Sequence, residues 1–555
     1  MSSPVSTARE NTLIPAHPVP HALWRRTLAA VLAALLLAPA WQAPACAQVR
    51  LPSLGESASQ DLSVGAERRL GEQIMREARR DPEYLDDPVL LEYLQQIWAP
   101  LVAAARQLGN IDADTDQAFA WEPFLVKDRS VNAFALPGGF VGAHLGLIAI
   151  TTTPDQLASV MAHELSHVTQ RHIARSIAPQ QQASLVALAA LLLGVMAASR
   201  GGNVDAANAA IMGGQGVAIQ SQLNFSRDME READRIGYGL LASAGYAPAG
   251  MAAMFDKMDI ATRLNDNSSY PYLRSHPLTV DRISEARNRT LLGDSKPTLP
   301  TLLHTIMQMR SRVLMDDSVL GLQRLSGATS SPLLADRVAA LYAGALAASL
   351  LKDHPRAERQ AALALQMAAT ATPREPRAER VLRLLQAQVL LTAGDAAGAL
   401  QALDLLPPAA SGDGAERPPL LLRAQAALVL NRSAPEAAAA PLRNSTESLQ
   451  TWVAVQPQDP IAWELLSSTS EALGLKLRAM RAGAEARAML GDLTGAIDRL
   501  RVAQAASRSA GGQDFIEGSI IDARLRQFTS LRRQLTLEMR GERERPPPGE
   551  GPPPQ

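Results

Sequence analysis

The chain has 555 residues, 47% hydrophobic and only 4% aromatic, with 54 Lys+Arg against 55 Asp+Glu and a formal net charge of −1. That balance excludes a nucleic-acid binder driven by bulk positive charge and a polybasic membrane binder. The length suffices for two or more cores, and a single cysteine, Cys46, excludes a disulfide framework.

The first fifty residues read as an export signal. Arg25-Arg26 forms a charged region, Thr27 to Ala38 an apolar run, and Ala45-Cys46-Ala47 a small-residue cleavage site, so 1–47 is expected to be a removed signal peptide. Ala43-Pro44-Ala45-Cys46 also reads as a poor lipoprotein box, and the arginine pair as a weak twin-arginine signal. Residues 62 to about 108 carry apolar positions at helical spacing. Phe119 to Ile150 is β-rich, with Phe124-Leu125-Val126 and Val131-Asn132-Ala133-Phe134 separated by a short polar link.

Everything after Thr153 reads helical. Thr153-Pro154-Asp155-Gln156 supplies an N-cap, a proline at the first helical position, an acid in the first turn and a capping-box glutamine. Leu157, Val160, Met161 and Leu165 follow at helical spacing, which predicts a helix carrying His163-Glu164-Leu165-Ser166-His167. Histidines four apart project from one face, with Glu164 beside them. Two imidazoles can then hold zinc while the carboxylate acts as base in peptide-bond hydrolysis. Two idle histidines on a helix surface would show the same spacing.

Ala183 to Ala198 is a sixteen-residue apolar run. At about 24 Å as a helix it falls short of the ~30 Å hydrocarbon core, so it reads as a buried or cleft-covering helix. The competing reading is a peripheral contact with a membrane or partner. Further on, Ser226-Arg227-Asp228-Met229-Glu230-Arg231-Glu232-Ala233-Asp234 predicts a helix with Glu230 and Asp234 on one face. Glu230 can supply a third zinc ligand and Asp234 can orient a ligand imidazole. A solvated face paired with Arg227, Arg231 and Arg235 would look alike.

From about Thr301, alanine and leucine dominate. Gly394-Asp395-x-x-Gly398-Ala399-Leu400 is echoed by Gly491-Asp492-x-x-Gly495-Ala496-Ile497, the inter-helix turn of a tetratricopeptide-like repeat whose small residues allow close packing. Lys352-Asp353-His354-Pro355 and Asn431-Arg432-Ser433-Ala434 read as degenerate turns of this type, and Asp459-Pro460 as another repeat start. A plain helical bundle is the alternative. Gly541 to Gln555, with six prolines in its last ten residues, reads as a disordered tail.

Taken in order, these motifs resemble the HtpX-related gluzincin metallopeptidase family. The resemblance rests on His163-Glu164-x-x-His167 with Glu230-x-x-Ala233-Asp234. It rests also on Asn132-Ala133-Phe134-Ala135-Leu136-Pro137-Gly138-Gly139, on Ala233-Asp234-Arg235-Ile236-Gly237 with Ala244-Gly245-Tyr246, and on Ser275-His276-Pro277 with Arg282-Ile283. It covers roughly Leu62 to Leu291. The expected fold is mainly α: a gluzincin metalloprotease domain of helices with one small β-sheet over 48–300, then an α-helical tetratricopeptide-like solenoid over 301–540.

The resemblance implies one zinc ion held by His163, His167 and Glu230, with Glu164 as base and Asp234 orienting a ligand. Asn132, Ala133, Phe134, Gly138 and Gly139 would bind substrate as a strand edge to which an extended chain adds. His276 would either close the fourth metal position or donate to the oxyanion. Arg282 would assist the oxyanion or hold that loop. His144, His172, His304 and His354 match no ligand spacing, and His172, five residues past His167, is expected to face away. The implied function is a periplasmic zinc endopeptidase acting on unfolded or misassembled outer-membrane proteins, with the barrel-assembly machinery as partner. The alternatives are a chaperone or scaffold with a latent site, and an integral-membrane protease.

Overall fold

The computed structural model describes residues 62–176, 225–264, 270–292, 299–327, 331–407, 416–509 and 515–543, all within one compact unit, Ser59–Gln555. The signal-peptide reading with Cys46, the Ala183–Ala198 run and the tail beyond 543 lie outside these residues. Among the described residues, no helix is long and apolar enough to cross a membrane.

Capping residues start the first helices where the sequence offers them. Ser63 accepts from Ala66 N and opens α1 (Val64–Ala78), whose Leu70, Ile74 and Met75 are fully buried. Asp87 accepts from Leu90 N and opens α2 (Pro88–Gln107). Between them lies strand β1 (Tyr84–Leu85), and after α2 comes the short helix α3 (Ala113–Ala118).

Strands β2 (Glu122–Val126), β3 (Ala133–Leu136) and β4 (Phe140–His144) complete a four-stranded sheet of order β1-β2-β4-β3. β2 and β4 run parallel, and antiparallel β1 and β3 form the two edges. The expected pair of strands corresponds to β2 and β3. β4 shows no apolar–polar alternation because all five of its residues are buried, and β1 is too short to leave a pattern.

α4 (Leu145–Ile150) leads into α5 (Pro154–Thr169), which is buried from Gln156 to Val168. Thr153 accepts from Gln156 N at 3.3 Å, while Gln156 Oε1 accepts from Thr152 N at 2.9 Å, one residue earlier than a standard capping box. After α6 (His172–Ser176), helices α7 (Arg227–Ser243) and α8 (Ala249–Leu264) pack on α5, as do α2 and β3. Leu157 and Leu165 are fully buried in this core, each contributing about 1.5–3 kcal/mol by removal from water. α9 (Tyr272–Ser275) and α10 (Val280–Leu292) follow.

The remaining chain is helical throughout its described residues. α11 (Leu302–Met315) lies against α4, and α12 (Val319–Ser326) against α13 (Leu334–Leu350). Consecutive helices then pack as neighbours: α13 on α14 (His354–Ala368), α15 (Pro376–Thr392) on α16 (Ala396–Asp404), and α17 (Arg417–Ser433) on α18 (Pro435–Val455). α19 (Pro460–Ala472) packs on α20 (Lys476–Met489), and α21 (Leu493–Ser509) on α22 (Phe515–Arg543). At the recurrent turn, Asp395 accepts from Gly398 N at 2.8 Å and Asp492 from Gly495 N at 2.8 Å. A Cβ at Gly398 would lie 2.2 Å from Asp395 Oδ2, so that glycine makes room for its own capping carboxylate rather than for a neighbouring helix.

Among the described residues, the apolar core continues across residue 300. One apolar cluster runs from Leu90 and Leu94 through Leu157 and Leu165 to Ile306, Tyr342 and Leu382. His304, on α11, lies 2.6 Å from Tyr93 Oη and 3.0 Å from the Thr151 carbonyl. Arg310, on the same helix, makes a two-pronged ion pair with Asp87.

Candidate metal centre

α5 and α7 build the centre together. A Cβ at Gly237 would stand 3.3 Å from the Ala162 carbonyl and His163 N, so a bare glycine brings α7 close against the α5 backbone. Ala233, one turn earlier on α7, is fully buried. The close approach delivers Glu230 and Asp234, one turn apart on α7, to the two histidines of α5.

His163 Nε2 and His167 Nε2 lie 3.0 Å apart, and Glu230 reaches them at 3.5 and 3.4 Å. His276, at the C-terminus of α9, brings Nδ1 to 2.9 Å from Glu230 Oε1 and 3.3 Å from His163 Nε2. One ligand atom from each of His163, His167, Glu230 and His276 falls within 4.8 Å of the others, and all four residues are buried. Imidazole nitrogens that face each other this closely have no mutual hydrogen-bond logic unless a proton or a cation sits between them. Three nitrogens and a carboxylate suit zinc, so the residues present fit the implied ion.

Charge points the same way. Burial lowers the pKa of His163, but Asp234 and Glu230 outweigh it and hold it up to about 9. Burial raises Glu230, yet His276, His163 and His167 bring it well below the usual carboxylate range. Asp234 is lowered to about 2, its desolvation overcome by Arg282 and His163. His167 is pushed down by burial, and by His163 and His276 against the opposing pull of Glu230. The carboxylates stay ionised and draw positive charge to the point where the ligand atoms meet.

Around that point the partners are specific. His163 Nδ1 lies 2.9 Å from Asp234 Oδ1, which turns its Nε2 inward, where a cation can take the place of the proton. Arg282 donates to Asp234 from Nε at 2.7 Å and Nη2 at 2.8 Å, donates from Nη1 to the Pro277 carbonyl at 2.9 Å, and pairs with Glu230. All three guanidinium nitrogens are therefore committed. Glu164 is fully buried, and neither of its carboxylate oxygens accepts a hydrogen bond; Oε1 lies 3.5 Å from His276 Nε2. Tyr272 stacks on His276 at 4.6 Å, and Phe225 on His167 at 3.9 Å.

The expected strand edge divides in two. Asn132 precedes β3 and Ala133 and Phe134 lie on it; this edge strand pairs with β4 on one side and packs against α5. Asn132 Oδ1 is buried with no hydrogen-bond partner. Gly138 and Gly139, at φ +77 and +89, sit instead in the β3–β4 turn, where their carbonyls accept from Ala120 N and Glu122 N. Those two carbonyls are already engaged.

His172 corrects an expectation. Rather than facing away, it is fully buried with Nδ1 2.9 Å from His167 Nδ1. The helical projection failed because Arg171 adopts φ +51 and breaks the helix between them. His144, against Ser130 Oγ at 3.0 Å, and His304 lie in other polar contacts, apart from the four ligand atoms.

The profile of Peptidase family M48 matches residues 92–290. Beta-barrel assembly-enhancing protease of Escherichia coli (strain K12) is 33% identical over 269 residues, 48% of this chain and 52% of its own. Beta-barrel assembly-enhancing protease of Yersinia pestis is 28% identical over 499 residues, 87% of this chain and 93% of its own. Metalloprotease LoiP of Escherichia coli (strain K12) is 30% identical over 189 residues, 34% of this chain and 69% of its own. The chain thus spans about half the length of the first of these relatives.

Proposed function

The chain belongs to peptidase family M48, and on that footing we propose that it is a zinc-dependent endopeptidase of the periplasm that degrades misassembled or unfolded outer-membrane proteins and assists their assembly. The observation that carries this reading is the convergence of His163, His167, Glu230 and His276 ligand atoms within 4.8 Å in a buried site. His163, His167 and Glu230 would hold the ion. When bound, zinc supplies Lewis-acid activation of water and polarisation of the scissile carbonyl.

Glu164 is the general base. Its desolvated carboxylate, with no hydrogen bond to give up, takes a proton from the attacking water and returns it to the leaving amine. Asp234 orients His163 through Nδ1. Arg282 holds Asp234 and the Pro277 carbonyl in place, which favours the loop-holding role over an oxyanion role because each of its three nitrogens is already engaged. The β3 edge offers an extended substrate main-chain hydrogen bonds beside the metal helix, a mode that reads backbone more than side chain and so suits unfolded chains. The names of the Escherichia and Yersinia relatives support barrel assembly as the context; in this reading the barrel-assembly machinery is the partner and the tetratricopeptide-like helices are the recruiting surface.

A second reading, a chaperone or scaffold with a latent protease, draws on His276 lying within the ligand group. Glu164→Gln separates the two. Cleavage of an unfolded substrate should fall by about 10²–10⁴-fold; a variant that cleaves at the parental rate sinks the assignment of Glu164. A chaperone would keep its cellular role in that variant, and a protease would lose it. If His276 closes the metal site, His276→Ala raises proteolysis; if it donates to the oxyanion, the same change lowers it. An unchanged rate dismisses both roles.

A further inference from the structure

We propose that His172 and Glu232 form a positioning relay that holds the ligand His167 in the tautomer and orientation needed for metal binding, an inference that rests on the zinc reading of the site. His163 has its outer partner directly in Asp234. His167 has no carboxylate at its outer nitrogen; it has His172, whose Nδ1 lies 2.9 Å from His167 Nδ1. The far nitrogen of His172, Nε2, lies 3.1 Å from Glu232 Oε2, and Arg175 Nη1 donates to the same oxygen at 3.3 Å.

Proton counting then orders the chain of contacts. A carboxylate only accepts, so His172 donates to Glu232 from Nε2, which in a neutral ring leaves Nδ1 as a lone pair. His167 must therefore donate from Nδ1, and its own Nε2 lone pair faces His163 Nε2 and Glu230. The opposite order, with His172 donating from Nδ1, forces the His167 proton onto Nε2 and removes a ligand. Glu232 sits on α7 with Glu230 and Asp234, so one helix supplies a ligand and the acid that orients each histidine.

The backbone is bent to make this contact. On an unbroken helix His172 would point about 140° away from His167. Arg171 instead takes φ +51, a costly conformation for a non-glycine residue, and is anchored by Nε donation to Glu67 at 2.9 Å and by a hydrogen bond to the Leu62 carbonyl. Two partners on or beside α1 hold a turn whose effect is to return His172 beneath His167.

The test is zinc affinity of the full-length protein, measured by competition with a chromogenic chelator alongside thermal melting. His172→Ala should weaken zinc binding by about 10–100-fold, the usual cost of losing a ligand's outer partner. His172→Asn, whose amide oxygen accepts in place of Nδ1, should recover most of that loss. Glu232→Ala, at a partly exposed position that threatens no core, should weaken binding by a smaller factor. Parental affinity in His172→Ala overturns the relay. So does an equal loss in His172→Ala and His172→Asn with Glu232→Ala unchanged, which marks packing alone. His167→Ala separates this failure from failure of the zinc reading: if it binds zinc as the parent does, the site itself is misassigned.

Discussion

Two buried charged clusters in this chain obey opposite rules. In the first, Arg310 donates from Nε at 2.7 Å and Nη2 at 2.6 Å to Asp87, and from Nη1 at 2.6 Å to Tyr342 Oη. Each guanidinium nitrogen has an acceptor, and the pairing closes on itself. In the second, His163, His167 and His276 turn nitrogens toward one another and toward Glu230 at 2.9–3.5 Å, while both Glu164 oxygens lack a hydrogen bond. Burying acceptors that face each other is costly unless a cation joins them. Here the mismatched cluster is the candidate site and the matched one is a strut.

The contrast is broken most severely at the metal centre. Glu230→Ala should abolish zinc binding and proteolysis, and should remove the stabilisation that excess zinc confers on the parent, about 4 kcal/mol at 1,000 times its Kd. Melting with and without zinc reads this directly, and a retained zinc shift would contradict the ligand role. Arg310→Ala should act the other way round. It leaves Asp87 buried without its partner and costs about 3–5 kcal/mol in denaturant unfolding, while zinc affinity of the folded protein stays at the parental value. A zinc defect there would mean that the two clusters are coupled.

The smallest effect is expected where the helical region meets α1. Arg80, half-exposed, donates to the carbonyls of Leu490 at 3.1 Å and Gly491 at 2.5 Å. Arg80→Ala should cost about 0–1 kcal/mol, as exposed charged contacts do, and leave the cleavage rate unchanged. A large loss of stability would show that this contact acts as a strut like Arg310.

Much of the centre was legible because its parts are local. His163 and His167, and Glu230 and Asp234, each sit one turn apart on one helix, and that spacing survives in the sequence whatever packs around it. Thr153 caps the helix its position predicts, and Asp395 and Asp492 cap helices at the two recurrent turns. His172 was misread for the complementary reason: helical projection assumes an unbroken helix, and the positive φ of Arg171 depends on partners about a hundred positions earlier. The commitment of every Arg282 nitrogen was equally invisible, since Asp234 and Glu230 lie 48 and 52 positions away.

By itself the sequence determined which helices carry the candidate metal ligands, because side chains three or four apart share a face through backbone geometry alone. Tertiary structure decided which of those faces meet. Gly237 lets α7 approach the α5 backbone, Arg171 turns His172 back under His167, and Asp87 meets Arg310 across 223 positions of chain. Such contacts depend on close packing and on pairing of buried charge between distant segments, and neither leaves a periodic mark on the residues that make them.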